Sequence, residues 1–329
     1  MAASRWKVVF TDESIRSEAA ERLRATCTVQ ILQAYPSEAA LIEACHDADA
    51  ILARLGVVTA RVIGAAPRLR IIARHGAGSD AVDVPAATRR GVVVTTTGPA
   101  NAGAVAEYTF ALLLALLRHI PRAEAGMRAG AWSRAPLVGE ALERKTLGIV
   151  GFGAVGSRVA RIATGFGMQV IAAIADAGRI AAATPKPVSV LPLHEMLPMA
   201  DVVSLHARLM PATQGMIDAA MLAAMKPGTV LVNTARGELV DEPALIAALQ
   251  SGHLAGAALD TYAIEPLAAD SPLRRLPNVV LSPHVAGQTN DAVIRVGLAA
   301  AQAILDELAG RRPDFVVNPE AYVMRESAH

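Results

Sequence analysis

Residues 147–160 read LGIVGFGAVGSRVA, which has the residue types and spacing of a phosphate-cradling turn. An apolar run leads into Gly151, Gly153 and Gly156, and a helix-like pattern follows them. Gly151 permits a tight turn, Gly153 lets backbone N–H groups approach a pyrophosphate, and Gly156 lets the next helix pack onto the strand. The N-terminus of that helix favours the phosphate charge. Strand, turn and helix in this order point to a dinucleotide; the plain alternative is a glycine turn that binds nothing. Asp176 lies 20 residues after Gly156, where a carboxylate can take the ribose hydroxyls. The strand before it ends near Ile174, so a solvated turn residue is an equal reading of Asp176. Arg179 and Arg208 carry the charge suited to a 2′-phosphate, so NAD is the expected cofactor and NADP the alternative.

Three later segments carry further reactive types. NTARGELVD at 233–241 holds Arg236, ALDTYAIEP at 258–266 holds Asp260 and Glu265, and LSPHVAGQT at 281–289 holds His284. Each begins at the C-terminal end of an expected parallel strand, where ligands bind in open α/β sheets. Singly, each has an ordinary reading: Arg236 as a surface residue, Glu265 in a turn, His284 as a strand-end histidine, Asp260 as a helix N-cap. Together, in this order, they resemble the D-isomer-specific 2-hydroxyacid dehydrogenase family, in particular its phosphoglycerate dehydrogenase and hydroxypyruvate reductase branches. The resemblance runs over essentially the whole chain, including RHGAGSDAVDV at 74–84 and the helix that starts at Asn101.

The resemblance implies an oxidoreductase that moves a hydride between NAD(P)(H) and C2 of a small 2-hydroxy/2-oxo acid. It implies His284 as acid/base, Glu265 as its partner and Arg236 as anchor of the substrate carboxylate. Those types suit the reaction. Arginine presents a fork to both carboxylate oxygens, and its charge polarises the carbonyl. Histidine titrates near neutral pH, so one group can donate in reduction and accept in oxidation, and a neighbouring carboxylate favours imidazolium. Asp260 is implied to face the nicotinamide carboxamide, with Ala154, Val155, His206 and Ala235 lining the cofactor site. In the first domain, Arg54 and Asn101 match substrate-contacting positions, and Gly76, Ala77 and Gly78 match a loop whose amides form an anion nest. Arg74 and His75 flank that loop and add positive potential. Plainer readings make Arg54 a turn residue and Asn101 a helix cap.

Three positions depart from the family pattern. Leu55 stands where phosphoglycerate dehydrogenases usually offer a small hydroxyl residue, His75 replaces a small loop residue, and Arg208 replaces proline beside the adenosine. Hydroxypyruvate, glyoxylate, phosphohydroxypyruvate and sulfonated analogues all remain open as substrates. So do two other classes: a nicotinamide-sensing corepressor, and a formate- or phosphite-type dehydrogenase of the same fold. A homodimer is implied, through the Asn101 helix and the segment around Trp132.

The elements that must position these residues alternate along the chain. Residues 7–10, 28–31, 50–52, 70–73 and 92–95 read as strands, with helices expected at 14–25, 37–46, 59–65 and 85–90. Strands separated by helices of about ten residues indicate a parallel sheet. One long apolar helix is expected at 101–118, apolar nearly all round. Further strands are expected at 147–150, 169–173, 202–205, 229–233, 255–259 and 279–282, then a helix at 286–309 and a short β-like piece at 315–317 that could rejoin the first sheet. The expected fold class is α/β, with two Rossmann-like or flavodoxin-like parallel-sheet domains around an active-site cleft. Residues 1–100 with 290–329 form the substrate domain and 101–289 the dinucleotide domain.

Composition sets the outer bounds. The 329 residues suit about two domains. A net charge of +1 argues against nucleic-acid or membrane-surface partners. Hydrophobic residues at 53% provide large cores, and aromatics at 3% leave Ala, Val, Leu and Ile to fill them. Cys27 and Cys45 have no metal-ligand or disulfide-framework spacing, and no apolar run is long enough to span a bilayer, so a cytoplasmic protein without a metal is expected.

Overall fold

The computed structural model describes residues 6–174 and 188–326. They form two compact units, one of Met1–Asn101 with Gln288–His329 and one of Ala102–Gly287. Asp176 and Arg179 lie outside the described residues.

The first unit is built on β1 (Trp6–Phe10), β2 (Cys27–Ile31), β3 (Ala50–Ala53), β4 (Ile71–Arg74) and β5 (Val93–Thr95). The sheet order is β2-β1-β3-β4-β5 and every pairing is parallel. Helices α1 (Ser17–Arg24), α2 (Glu38–Cys45), α3 (Ala60–Gly64) and α4 (Val84–Arg89) make the crossovers. Their starts are written locally: Ser37, Thr59 and Asp83 each accept the backbone N–H three residues on. The first helix is shorter than expected. Asp12 takes the Ser14 amide and hydroxyl, and Arg54 takes the Ser14 carbonyl, so residues 14–16 are held out of the helix.

The second unit opens with α5 (Ala102–Leu117) and α6 (Ile120–Arg128). Its sheet uses β6 (Thr146–Val150), β7 (Gln169–Ala173), β8 (Val188–Val190), β9 (Val202–Leu205), β10 (Thr229–Asn233), β11 (Leu254–Leu259) and β12 (Val279–Leu281), with α7 (Gly156–Gly165), α8 (Leu193–Met196), α9 (Ala219–Ala224) and α10 (Glu242–Gln250) between them. The order β12-β11-β10-β9-β6-β7-β8, parallel throughout, puts the reversal of strand order between β6 and β9. Ligands bind at such a switch point, beyond the carboxyl ends of the strands. Both faces of the sheet are covered by aliphatic clusters, which is why its strands read as near-continuous apolar runs. Helix α5 is apolar nearly all round, as expected, but not buried all round, because Glu107 and Ala111 are exposed.

The chain then returns to the first unit as α11 (Asn290–Leu308) and α12 (Glu320–Glu326). Helix α11 begins four residues later than expected: Thr289 caps it, and the amides of Val285 and Ala286 are drawn into bonds with Asp260. The piece at 315–317 does rejoin the first sheet, but as one antiparallel bridge, Val316 to Thr95, rather than a strand. Helix α12 is held by polar groups. Arg325 pairs with the buried Glu307 and donates to the Gly91 and Arg70 carbonyls, and Tyr322 donates to Glu307 at 3.0 Å.

Candidate active site

At the switch point, β6 runs into the glycine turn. Gly151 has φ +90°, and a side chain on it would stand 2.6 Å from the Ala207 amide nitrogen. Gly156 opens α7 with its α-carbon against the Gly151 carbonyl, where a Cβ would stand 2.3 Å away. Both positions therefore exclude any side chain. Gly153 is different, since nothing lies within 4 Å of where its Cβ would be. That open glycine, with Ala154 and Val155 leading into a helix N-terminus, fits the backbone approach that a pyrophosphate requires. His206 closes the other side of the turn, its amide donating to the Val150 carbonyl at 2.7 Å. Its Nε2 lies 2.8 Å from the Ser204 hydroxyl, and burial pushes the imidazole down to about 3, so it is a neutral ring. A neutral, bonded histidine lines the turn and does no proton chemistry at ordinary pH.

The reactive groups come from three loops of this same unit. After β10, the Asn233 side chain accepts the Ala235 amide at 3.0 Å and donates to the Arg236 carbonyl at 2.8 Å, which shapes the loop that presents Arg236. Gly237 follows, and a Cβ there would stand 1.9 Å from the Tyr262 carbonyl carbon. The Arg236 and Glu265 loops are thus packed backbone on backbone. After β11, Glu265 accepts the Tyr262 amide at 3.1 Å through Oε1. Its other oxygen, Oε2, lies 2.8 Å from Nδ1 of His284.

Burial works to raise the Glu265 carboxyl. The hydrogen bond and charge of His284, the Tyr262 amide and the Arg236 charge outweigh it and hold the group below its usual range. An ionised carboxylate only accepts, so Nδ1 of His284 carries the proton between them. Among the described residues Nε2 of His284 has no hydrogen-bond partner, and the side chain is 46% exposed. This arrangement presents an oriented imidazole with a fixed anion behind it and a guanidinium two loops away.

Asp260 sets where that imidazole stands. It is fully buried, and its carboxylate accepts the Ser282 hydroxyl and the amides of Val285 and Ala286, the latter two at 2.9 and 2.8 Å. Its carbonyl accepts the His284 amide at 2.8 Å. His284 sits between these anchors at φ +54°, a left-handed conformation that costs a non-glycine residue about 1–2 kcal/mol. Through these bonds the Asp260 carboxylate fixes the loop of His284.

Sequence reasoning passed over Tyr262, Gly237 and Asn233 as site residues. The signals were present: a glycine directly after the arginine, an asparagine ending an apolar strand, and a hydroxyl on an otherwise apolar position.

In the other unit, Arg54 follows β3 and Arg74 is the last residue of β4, paired with Ala53. Arg54 uses all three of its nitrogens internally. Nε lies 3.4 Å from the buried Asp12, Nη1 bonds the Ser14 carbonyl and hydroxyl, and Nη2 donates to Gln288 at 3.1 Å. Arg74 turns inward, donating to the carbonyls of Gly78, Ala53 and Arg54 at 3.1, 2.9 and 2.6 Å. It flanks the nest loop as expected, but with its guanidinium bonded to these carbonyls it shapes that loop. The Gly76 amide is also engaged, by the Arg74 carbonyl at 3.0 Å, whereas the amides of Ala77 and Gly78 have no acceptor among the described residues. His75 is an enclosed ring, pushed down to about 4 by burial and by Arg54, so it adds no charge near neutral pH. Asn101 is half-buried, the last residue before α5.

The family model for the "D-isomer specific 2-hydroxyacid dehydrogenase, NAD binding domain" matches residues 110–286. The D-3-phosphoglycerate dehydrogenase of Mycobacterium leprae is 41% identical over 297 residues, covering 88% of this chain and 55% of that protein. The chain therefore spans about half the length of the curated phosphoglycerate dehydrogenases it matches first. A glyoxylate reductase of Korarchaeum cryptofilum is 38% identical, covering 89% of this chain and 90% of its own length. Among solved structures, an NADPH-dependent glyoxylate/hydroxypyruvate reductase from Sinorhizobium meliloti, in complex with NADP and malonate, superposes with a TM-score of 0.84 at 28% identity, over 97% of this chain and 98% of that one. By the matched model and by these relatives, the chain belongs to the D-isomer specific 2-hydroxyacid dehydrogenase family.

Proposed function

We propose that this chain is an NAD(P)-dependent oxidoreductase that interconverts a small 2-oxo acid and its 2-hydroxy acid. The observation that carries the reading is the His284–Glu265 pair, held by Asp260 and Tyr262 on strand ends beside Arg236. When bound along the glycine turn, a nicotinamide supplies or takes up the hydride at C2. His284 delivers the proton of Nε2 to the carbonyl oxygen in reduction and recovers it in oxidation. Glu265 stays anionic through both directions and stabilises the imidazolium. Arg236 binds the substrate carboxylate through its fork and draws electron density from the adjoining carbonyl. In the first unit the amides of Ala77 and Gly78, which have no acceptor among the described residues, are suited to an anion of the same kind.

Either nicotinamide cofactor suits the cradle. Arg208, exposed after β9, is suited to a 2′-phosphate, while Asp176 would favour the free ribose. A homodimer belongs to the same reading. Helix α6 buries none of its residues, and Ile120, Met127, Trp132 and Val138 are all more than half exposed, Trp132 at 79%. Such a run of apolar exposure suits a second copy. Cys27 and Cys45 are buried and not joined in a disulfide, which supports a cytoplasmic setting.

The test follows nicotinamide absorbance with NADH and NADPH against hydroxypyruvate, glyoxylate, pyruvate, phosphohydroxypyruvate and sulfopyruvate. Turnover with at least one pair is expected, and His284→Ala is expected to lose about a hundredfold or more of it. Near-normal turnover in His284→Ala would overturn the assignment of the proton to this residue.

A further inference from the structure

We propose that the acid used by this chain carries no charge beyond its carboxylate, so that a phosphate on the third carbon is disfavoured. The proposal rests on the 2-oxo acid reading given above and narrows it.

The first unit's loops that hold the positions matching substrate contacts leave neighbouring strands, 54–57 after β3 and 75–78 after β4, and the Ala53–Arg74 pairing brings them side by side. The amides of Ala77 and Gly78 provide for one carboxylate. A second anionic group needs a cation, and the cations of these loops are committed. Arg54 is the counterion of Asp12, whose side chain has no solvent exposure, and its other nitrogens are taken by Ser14 and Gln288. Turning Arg54 toward a phosphate would leave a buried carboxylate without its countercharge. Arg74 donates to three backbone carbonyls that hold the two loops together. His75 is neutral.

What the 54–57 loop does expose is apolar. Leu55 is half-buried and Val57 is 57% exposed. Behind them the ring of Pro36 stands 3.2 Å from where a Gly56 Cβ would lie, which places the turn of Tyr35, itself 70% exposed, against this loop. A wall of leucine, valine and tyrosine rewards an uncharged group and penalises stripping water from a dianion. Arg295 on α11 is the other cation at this end, exposed, with Nε on the Ala100 carbonyl at 3.3 Å.

The experiment compares kcat/KM for hydroxypyruvate and 2-oxobutyrate with that for phosphohydroxypyruvate, in the wild type, Leu55→Lys and Arg295→Ala. The acids without a second charge are expected to lead by about tenfold or more. Leu55→Lys should close that gap by supplying the missing cation at a half-exposed position. Equal or better use of phosphohydroxypyruvate by the wild type overturns the proposal, and its loss in Arg295→Ala would then identify the cation that was underrated. In parallel, thermal shift with NADH or NADPH present compares 2-hydroxybutyrate with 3-phosphoglycerate. A shift with 2-hydroxybutyrate alone supports the preference even if no acid is turned over, in which case only the hydride-transfer reading fails. A shift with 3-phosphoglycerate alone, or with neither acid, overturns the preference.

Discussion

The Tyr262 hydroxyl donates to the Ser282 carbonyl oxygen at 2.9 Å, and also lies 3.2 Å from that of Leu259. One buried phenol thereby ties the ends of β11 and β12, the strands that lead to Glu265 and His284. Burial pushes this phenol up to about 12, so it remains a donor over the whole working pH range.

Tyr262→Phe keeps the ring and removes the tie. A buried hydrogen bond contributes about 1 kcal/mol, so a modest fall in Tm is expected. The more telling result is a severalfold drop in kcat with KM for the cofactor unchanged, because the loss lies in the placement of His284. Equal kcat in both proteins would reduce Tyr262 to a packing residue.

Glu265 is held below the usual carboxylate range, so it is an anion wherever a histidine titrates. A group lowered in this way contributes stability that is complete above its unfolded pKa and is lost as pH falls through the lowered value. For catalysis the sign is as definite. Glu265→Gln removes the anion that stabilises the protonated ring, so the pH profile of reduction should move to lower pH. At pH 8, reduction should suffer more than oxidation. Profiles measured in both directions check this, and an unmoved midpoint would take Glu265 out of the proton chemistry.

Gly237 leaves no room for a methyl group, since a Cβ would meet the Tyr262 carbonyl carbon at 1.9 Å and the Ala263 nitrogen at 2.3 Å. Backbone must shift to admit one. Gly237→Ala should therefore cost at least the 1–3 kcal/mol typical of overpacking, roughly, and should raise KM for the acid by separating Arg236 from Glu265. Calorimetry and steady-state kinetics read the two effects separately.

If the exposed run from Ile120 to Val138 is covered by a second copy, light scattering at micromolar concentration should give twice the 34.2 kDa chain mass. Trp132→Glu should lower it toward one chain. A wild-type monomer would refute the dimer directly.

The sheets were legible because doubly covered parallel strands are written as short apolar runs, and β7, β9 and β10 fall where those runs do. Strand β8 was not, being three residues with only Val188 partly covered. Helices α6 and α12 escaped for a related reason: α6 buries nothing, and α12 buries only Ala321 and depends on Arg325 reaching Glu307 eighteen positions away. Periodicity reports apolar faces, not distant polar partners. The same limit applies in the site. Types and spacing singled out Arg236, Glu265 and His284, and the structure brings Glu265 and His284 into contact. An arginine's presence does not say where its guanidinium turns, so the inward course of Arg74 and the pairing of Arg54 with Asp12 could not be read from the chain. Nor could the role of Asp260, whose donors lie 22 to 26 residues ahead of it.

The return of α11 and α12 to the first unit also governs the order of folding during synthesis. The unit of Ala102–Gly287 is one continuous stretch and can close its sheet once residue 287 has left the ribosome. The first unit, although its strands emerge earlier, has one face of its sheet, with Val8, Phe10, Leu52 and Ile71, waiting for Ala300, Ala301 and Ile304 of α11. The part made first is thus completed last. Until then its exposed aliphatic face is the natural point of engagement for a chaperone on the nascent chain.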